Sequence, residues 1–147
     1  MKRILGEVSD AIVEQWNILE QKGKKIVMYP EAKEHSKERH INEYPSEEDY
    51  YFVMASLEEI IKDPDYVFYD KSKQGLEYYK KIRKHILVAI RVNNGRELKV
   101  KSVYPVEPEK IENRRKKEEQ MKLYNKYVIG IEWLYRSAYF FDFNSSF

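Results

Sequence analysis

A chain of 147 residues with 42% hydrophobic and 14% aromatic side chains has room for one folded domain with a real core, despite a mean hydropathy of -0.77. It contains no cysteine, which excludes disulfides, cysteine-ligated zinc and a thiol nucleophile. No apolar run approaches the roughly 18 residues of a membrane span, and Glu7 and Asp10 interrupt any signal-peptide core, so the expected setting is the cytoplasm, with no membrane partner.

The formal net charge of +2 hides an asymmetry. Between Lys71 and Lys101 stand ten lysines and arginines against two acids, Glu77 and Glu97, whereas Asp and Glu gather over residues 43–70. A balanced chain with one basic segment points to an anionic partner on one face. The thirteen tyrosines suit binding surfaces, because the ring packs while the hydroxyl reaches water or a partner.

Taken in order, residues 7–21 read as an amphipathic helix, with Ile4, Val8, Ala11, Ile12, Ile18 and Leu19 on one face, Trp16 at its margin and Gly23 as the stop. Residues 25–29 read as a short strand closed by Pro30. A helical turn over residues 34–40 then carries His35, Arg39 and His40. Five residues of separation turn the two imidazoles about 140° apart on a regular helix. They do not form the i, i+4 clamp of a simple metal site. Histidine changes charge near neutral pH, and the spacing leaves one ring to face a cleft and the other to pack or cap.

Ser46 and Asp49 read as a helix start, and Tyr50, Val53, Leu57, Ile60 and Ile61 as its buried stripe, ended by Asp63-Pro64-Asp65. Residues 66–70 are rich in strand formers, and residues 75–84 fit a helix turn or a twisted strand. Residues 85–92 form the strongest strand, and Asn93-Asn94-Gly95 is a hairpin signal. Residues 97–104 alternate as a half-buried antiparallel strand, with Leu98, Val100 and Ser102 on one face, Lys99, Lys101 and Val103 on the other, and Pro105 and Pro108 as the stop. Residues 107–122 read as a charged, solvated helix. Residues 127–143 form an aromatic tail that packs on the sheet or meets a partner.

The expected order is therefore helix, strand, histidine-bearing helix turn, helix, strand, strand, Asn-Gly turn and strand, followed by a charged C-terminal helix and the aromatic tail. The expected organisation is a single domain over residues 1–147, with an N-terminal helix in 1–23, a core in 24–113 and a C-terminal extension in 114–147.

Three stretches resemble the phage-borne branch of the barnase/EndoU/colicin/RelE-like (BECR) nucleases. His35-Ser36-Lys37-Glu38-Arg39-His40 is similar to that group's His-x-x-x-Arg-His element. Ile60-Ile61-Lys62-Asp63-Pro64-Asp65-Tyr66-Val67 is similar to its II-x-x-PD-x-I element. Leu87-Val88-Ala89-Ile90 followed by Lys101-Ser102-Val103-Tyr104 is similar to its last two core strands. The likeness covers about residues 25–113 and leaves the first helix and the tail outside.

The resemblance implies an α+β fold, with N-terminal helices packed on a small antiparallel β-sheet, and a metal-independent endoribonuclease without a cofactor that cleaves RNA by 2′-OH attack to leave a 2′,3′-cyclic phosphate, in the setting of a phage or mobile-element toxin or effector. It implies His35 or His40 as the acid–base residue, Arg39 and Lys81 (or Lys80) on the phosphate, Ser102 as a hydrogen-bond donor to it, and Tyr104 as a base-stacking ring. Lys80, Lys99 and Lys101 are the further expected RNA contacts. Each has a structural alternative: His40 packed beside Tyr44, Arg39 paired with Glu43, Ser102 buried in its strand. The sequence shows no carboxylate placed to orient a catalytic imidazole. The competing expectation is an inactive RNA- or protein-binding module of the same fold, with an inhibitor or host protein as partner.

Overall fold

The computed structural model describes residues 1–119, which fall into two compact units, one over Met1–Pro108 and one that begins at Glu109. Within the second unit residues 109–119 are helical, with Arg115 and Glu112 paired at 3.4 Å. The aromatic segment 127–143 lies outside the described residues.

The first unit is a mixed α+β structure. Its six strands are β1 (Arg3–Glu7), β2 (Lys25–Met28), β3 (Tyr66–Asp70), β4 (Gly75–Ile82), β5 (Lys84–Arg91) and β6 (Glu97–Val106). They form one sheet in the order β1-β2-β6-β5-β4-β3. The sheet is not wholly antiparallel as expected, because β2 runs parallel to β6. That pair joins segments about 70 residues apart, and the excursion between them holds α2 (Pro30–His40), α3 (Glu47–Ala55) and α4 (Leu57–Lys62).

The chain begins with a strand rather than a helix. Apolar Ile4 and Val8 suit either period, and pairing with β2 decides for the strand. Gly6 lets β1 lie against α4, since a Cβ there would stand 3.0 Å from Ile61 Cγ2. Helix α1 is only Asp10–Trp16. Ser9 caps it by accepting from the Ile12 N–H, and Asn17, left-handed at φ 54°, ends it well before Gly23. Ile12, Val13 and Ile18 are buried, whereas Leu19, expected on the same stripe, is exposed. Trp16 is half-buried, and its indole N–H donates to the Val67 carbonyl at 3.2 Å on β3.

The stripe Tyr50, Val53, Leu57, Ile60 and Ile61 is buried as its spacing predicts. It lies on two helices rather than one. Ser56 donates its hydroxyl back to the Phe52 carbonyl at 2.8 Å, a bond that competes with the backbone ladder, and α3 ends there. Ser46 caps α3 through the Asp49 N–H at 3.1 Å. These helices cover one sheet face, where Leu76, Tyr78, Ile86, Val88, Ile90, Leu98, Val100 and Val103 complete a single core. The ambiguous residues 75–84 resolve as β4, paired with both β3 and β5.

Strand β6 departs from strict alternation. Ala89 pairs with Ser102 but Ile90 pairs with Val100, so Lys101 is an extra residue in a β-bulge. The bulge moves Val103 to the core face of Leu98 and Val100, and turns Ser102 and Tyr104 to the opposite face. That reverses the expected facing of both Ser102 and Val103. The strand also runs through Pro105 to Val106. The Val103 N–H points outward from the sheet to α2, and Pro105, two residues on, points the same way. The donor that proline lacks is therefore one that β5 does not use.

Candidate functional site

Helix α2 starts with Pro30 at its first turn, where a missing N–H costs nothing, so the proline opens a helix here rather than merely closing β2. Ser36 is fully buried in α2, and its Oγ accepts from the Val103 N–H at 3.1 Å. This bond fixes the rotation of the helix. His40, one turn further on the same ridge, is thereby turned toward β6. Its ring stacks on Tyr104 with centroids 4.7 Å apart and planes 21° from parallel. Its Nδ1 pairs with Glu43 Oε2. Glu43 lies in a 3₁₀ turn, Ile41–Glu43, that follows α2 directly.

The carboxylate missing from the sequence reading is thus Glu43, and its partner is His40 rather than Arg39. Tyr44 packs on Tyr50 instead of on His40, and burial pushes the Tyr44 hydroxyl well above the ordinary tyrosine range. His35 and Arg39 share the neighbouring ridge of α2, and both are exposed. Among the described residues no hydrogen bond or ion pair engages either. The structure therefore separates the two histidines: one is built into the fold, the other stands in solvent.

Glu43 also lines a pocket of about 570 Å³. The other lining residues are Lys81, Arg83, Lys84 and His85 from the β4–β5 turn, and residues 105–108 at the end of β6. The strand register explains the gathering. Lys81 lies opposite His85, and His85 opposite Val106; one step along, Leu87 lies opposite Tyr104. Directly opposed residues share a sheet face, so Lys81, His85 and Tyr104 stand on one face at one end of three strands. Arg83 is the single residue between paired Ile82 and Lys84, and it holds a left-handed φ of 64°. Its guanidinium pairs with Asp49 and lies 4.6 Å from the centroid of the Phe52 ring.

The remaining expected residues are placed as follows. Lys80 is turned away from the pocket; its Nζ donates to the Asp63 carbonyl at 2.7 Å and lies 3.4 Å from Asp63 Oδ2 and 3.9 Å from Asp65 Oδ1, pinning the chain that enters β3. Lys99 lies over the Tyr29 ring at 5.2 Å. At about 3.3 Å per residue, Lys99 is roughly 20 Å along β6 from Pro105. Lys101 is the exposed bulge residue. Ser102 is buried, and among the described residues its Oγ has no partner.

Of the expected site residues the fold brings together His40, Lys81 and Tyr104. It adds Glu43, Arg83, Lys84 and His85. Glu43 carried a readable signal, three residues after His40 on a continuing helical path. His85 stands at the head of the strongest expected strand, and its place opposite Lys81 follows only once β4 is known to be a strand. Among the described residues no group of three or more His, Asp or Glu side chains is arranged to hold a metal ion, and no helix is long and apolar enough to cross a membrane.

A histidine paired with a carboxylate, beside a pocket lined by lysine and arginine, is an arrangement that can move protons next to an anion. A family model described as phage-Barnase-EndoU-ColicinE5/D-RelE like nuclease3 matches residues 3–113. The chain belongs to this phage-borne nuclease family. The match takes in β1 and α1, which the likeness traced along the sequence left outside. No curated protein and no solved structure matches the chain.

Proposed function

We propose that the chain is a metal-independent endoribonuclease whose proton-transfer residue is His40. The observation that carries this reading is the pairing of His40 Nδ1 with Glu43 at the rim of the cationic pocket. A carboxylate on Nδ1 holds the proton on that nitrogen and leaves the Nε2 lone pair to act as a base. Nε2 takes the proton of a ribose 2′-OH, and O2′ attacks the adjacent phosphorus. The P–O5′ bond breaks, and O5′ leaves with a proton from the imidazolium of His85. The products are a 2′,3′-cyclic phosphate and a 5′-hydroxyl. Lys81 and Lys84 hold the non-bridging oxygens as negative charge builds on them. Tyr104 backs the His40 ring and keeps its orientation.

Belonging to a phage-borne family supports an intracellular RNA target and a toxin or effector role. The test is cleavage of total cellular RNA in excess EDTA by the wild type, His40→Ala and His35→Ala. Loss of a positioned proton-transfer group costs about 10²–10⁴-fold. We expect that loss in His40→Ala, unchanged activity in His35→Ala, and 2′,3′-cyclic ends on the products. Cleavage that needs a divalent ion, or that persists in His40→Ala, would remove the reading in favour of a metal-dependent site or a binding module.

A further inference from the structure

Two aromatic side chains on the exposed side of α3 lie outside the core, and of these Tyr51 meets the buried Tyr50 ring edge-on, with centroids 5.1 Å apart. Tyr51 is 51% exposed and Phe52 45% exposed, beside the buried stripe that holds the helix to the sheet. Each has a cation at its ring. Lys37 Nζ lies 5.7 Å from the Tyr51 centroid, and the Arg83 guanidinium lies 4.6 Å from that of Phe52. Hydrogen bonding to Tyr51 holds the Lys37 ammonium above its ordinary value. Arg83 is doubly fixed, by its pair with Asp49 and by its place in the tight β4–β5 turn. It also lines the pocket, so the aromatic patch and the pocket share a residue.

We propose that Tyr51 and Phe52 form a stacking platform for an unpaired nucleobase next to the phosphate held in the pocket. This rests on the ribonuclease reading and extends it to the form of the substrate. Flat apolar rings flanked by fixed cations are what a single strand offers partners to: every base has a π-face, and its phosphates want positive charge. The charge pattern sorts the two parts of a nucleotide. Glu47 and Glu48, exposed in the first turn of α3, lie one turn before Tyr51 and Phe52. They repel a phosphate from α3 itself and suit the exocyclic amino groups of a base, while Lys81 and Lys84 draw the phosphate into the pocket. A duplex keeps its bases stacked inside and offers no ring to this platform.

The experiment measures binding of a fluorescent 2′-O-methyl oligoribonucleotide, which lacks the attacking hydroxyl, as a single strand and as a duplex. The proteins are the wild type, Phe52→Ala, Tyr51→Ala, Phe52→Trp and Lys84→Ala, each checked for an unchanged melting temperature. Loss of one base–aromatic stack weakens binding roughly 5- to 150-fold. We expect Phe52→Ala to weaken single-strand binding in that range with an unchanged salt slope, and Phe52→Trp to restore it. Lys84→Ala lowers the salt slope instead. Equal binding of single strand and duplex, or binding unmoved in both Phe52→Ala and Tyr51→Ala, overturns the platform and leaves the pocket's claim on RNA intact. A wild type that binds neither form overturns both.

Discussion

Strand β6 is held differently in its two halves. Along Glu97, Leu98 and Lys99 its outer edge pairs with β2 through parallel backbone bonds. Beyond the bulge at Lys101 no strand among the described residues pairs with that edge, and α2 lies beside it, joined through the Ser36 hydroxyl to the Val103 N–H. The charges follow the same division. In the first half Glu97 accepts from Lys2 Nζ and from the Tyr29 hydroxyl, both at 2.7 Å, so the cluster is internally satisfied. In the second half the pocket gathers Lys81, Arg83, Lys84 and His85 around Glu43 and Glu107. Both regions are charged and both hold a tyrosine. Only the second combines lysines that form no ion pair among the described residues, Lys81 and Lys84, with a concave surface and a histidine–carboxylate pair. A basic stretch of sequence becomes a candidate site where the fold leaves its charges uncompensated, and Lys80, two acids deep in partners, is the counterexample one residue from Lys81.

The sharpest way to break this comparison is Ser36→Ala. It leaves the buried Val103 N–H without an acceptor, which costs about 1–3 kcal/mol. It also frees the helix that carries His40, so RNA cleavage should fall more than stability alone requires. Tyr29→Phe removes one bond from the other half of β6. There Glu97 keeps Lys2, and the exposed oxygen is hydrated, so the expected cost is smaller than that of Ser36→Ala, with cleavage unchanged. Urea unfolding of both variants, with activity measured beside it, reads the difference. Equal costs would mean that α2 is not held by this bond.

Much of this architecture is local and therefore legible. The buried stripe of α3 and α4, the Ser46 cap, the β5–β6 hairpin with Asn93 at its turn, and the strand over residues 66–70 follow from spacing and turn chemistry. What stays hidden depends on distant partners. The β2–β6 pairing cannot be seen from either strand alone. The bulge at Lys101 reverses two side chains without any glycine or proline to announce it. The candidate site was half legible. His40 and Lys81 stand among the expected residues, but which of the two histidines faces β6 needed the Ser36 anchor, and the places of Glu43 and His85 needed the strand ends brought together.

A smaller effect compares cations in the two halves. Lys81→Gln with Lys84→Gln removes two phosphate partners from the pocket, whereas Lys99→Gln removes a cation already placed over Tyr29 near Glu97. Each lost contact to a single strand lowers the slope of log affinity against log salt by about 0.7. The double variant should therefore show a slope reduced by about 1.4, and Lys99→Gln almost none. Titrating an uncleavable RNA strand at several salt concentrations measures both. A reduced slope in Lys99→Gln would extend the RNA path along the whole of β6 and erase the distinction drawn between its halves.

The smallest effect concerns pH. Hydrogen bonds from Lys2 and then from Tyr29 hold the Glu97 carboxyl below its ordinary value of 4.5. A depressed folded-state value means that the ionised form is the one the fold prefers. The stability it contributes is fully present above the ordinary carboxylate range and is lost as pH falls through the folded value. Glu58 behaves alike, because Arg3 binds it with Nε at 2.7 Å and Nη2 at 2.5 Å. Both pairs are partly exposed, so solvent and salt screen them and each effect is modest. Glu97→Gln should be slightly less stable than the wild type at pH 6 and equal to it at pH 2.5, while Lys81→Gln, in the uncompensated half, should show no such convergence. Urea midpoints at the two pH values test this. A gap between wild type and Glu97→Gln that is the same at both would mean that the Lys2–Glu97–Tyr29 cluster is not what stabilises the first half of β6, and that the parallel backbone pairing holds it alone.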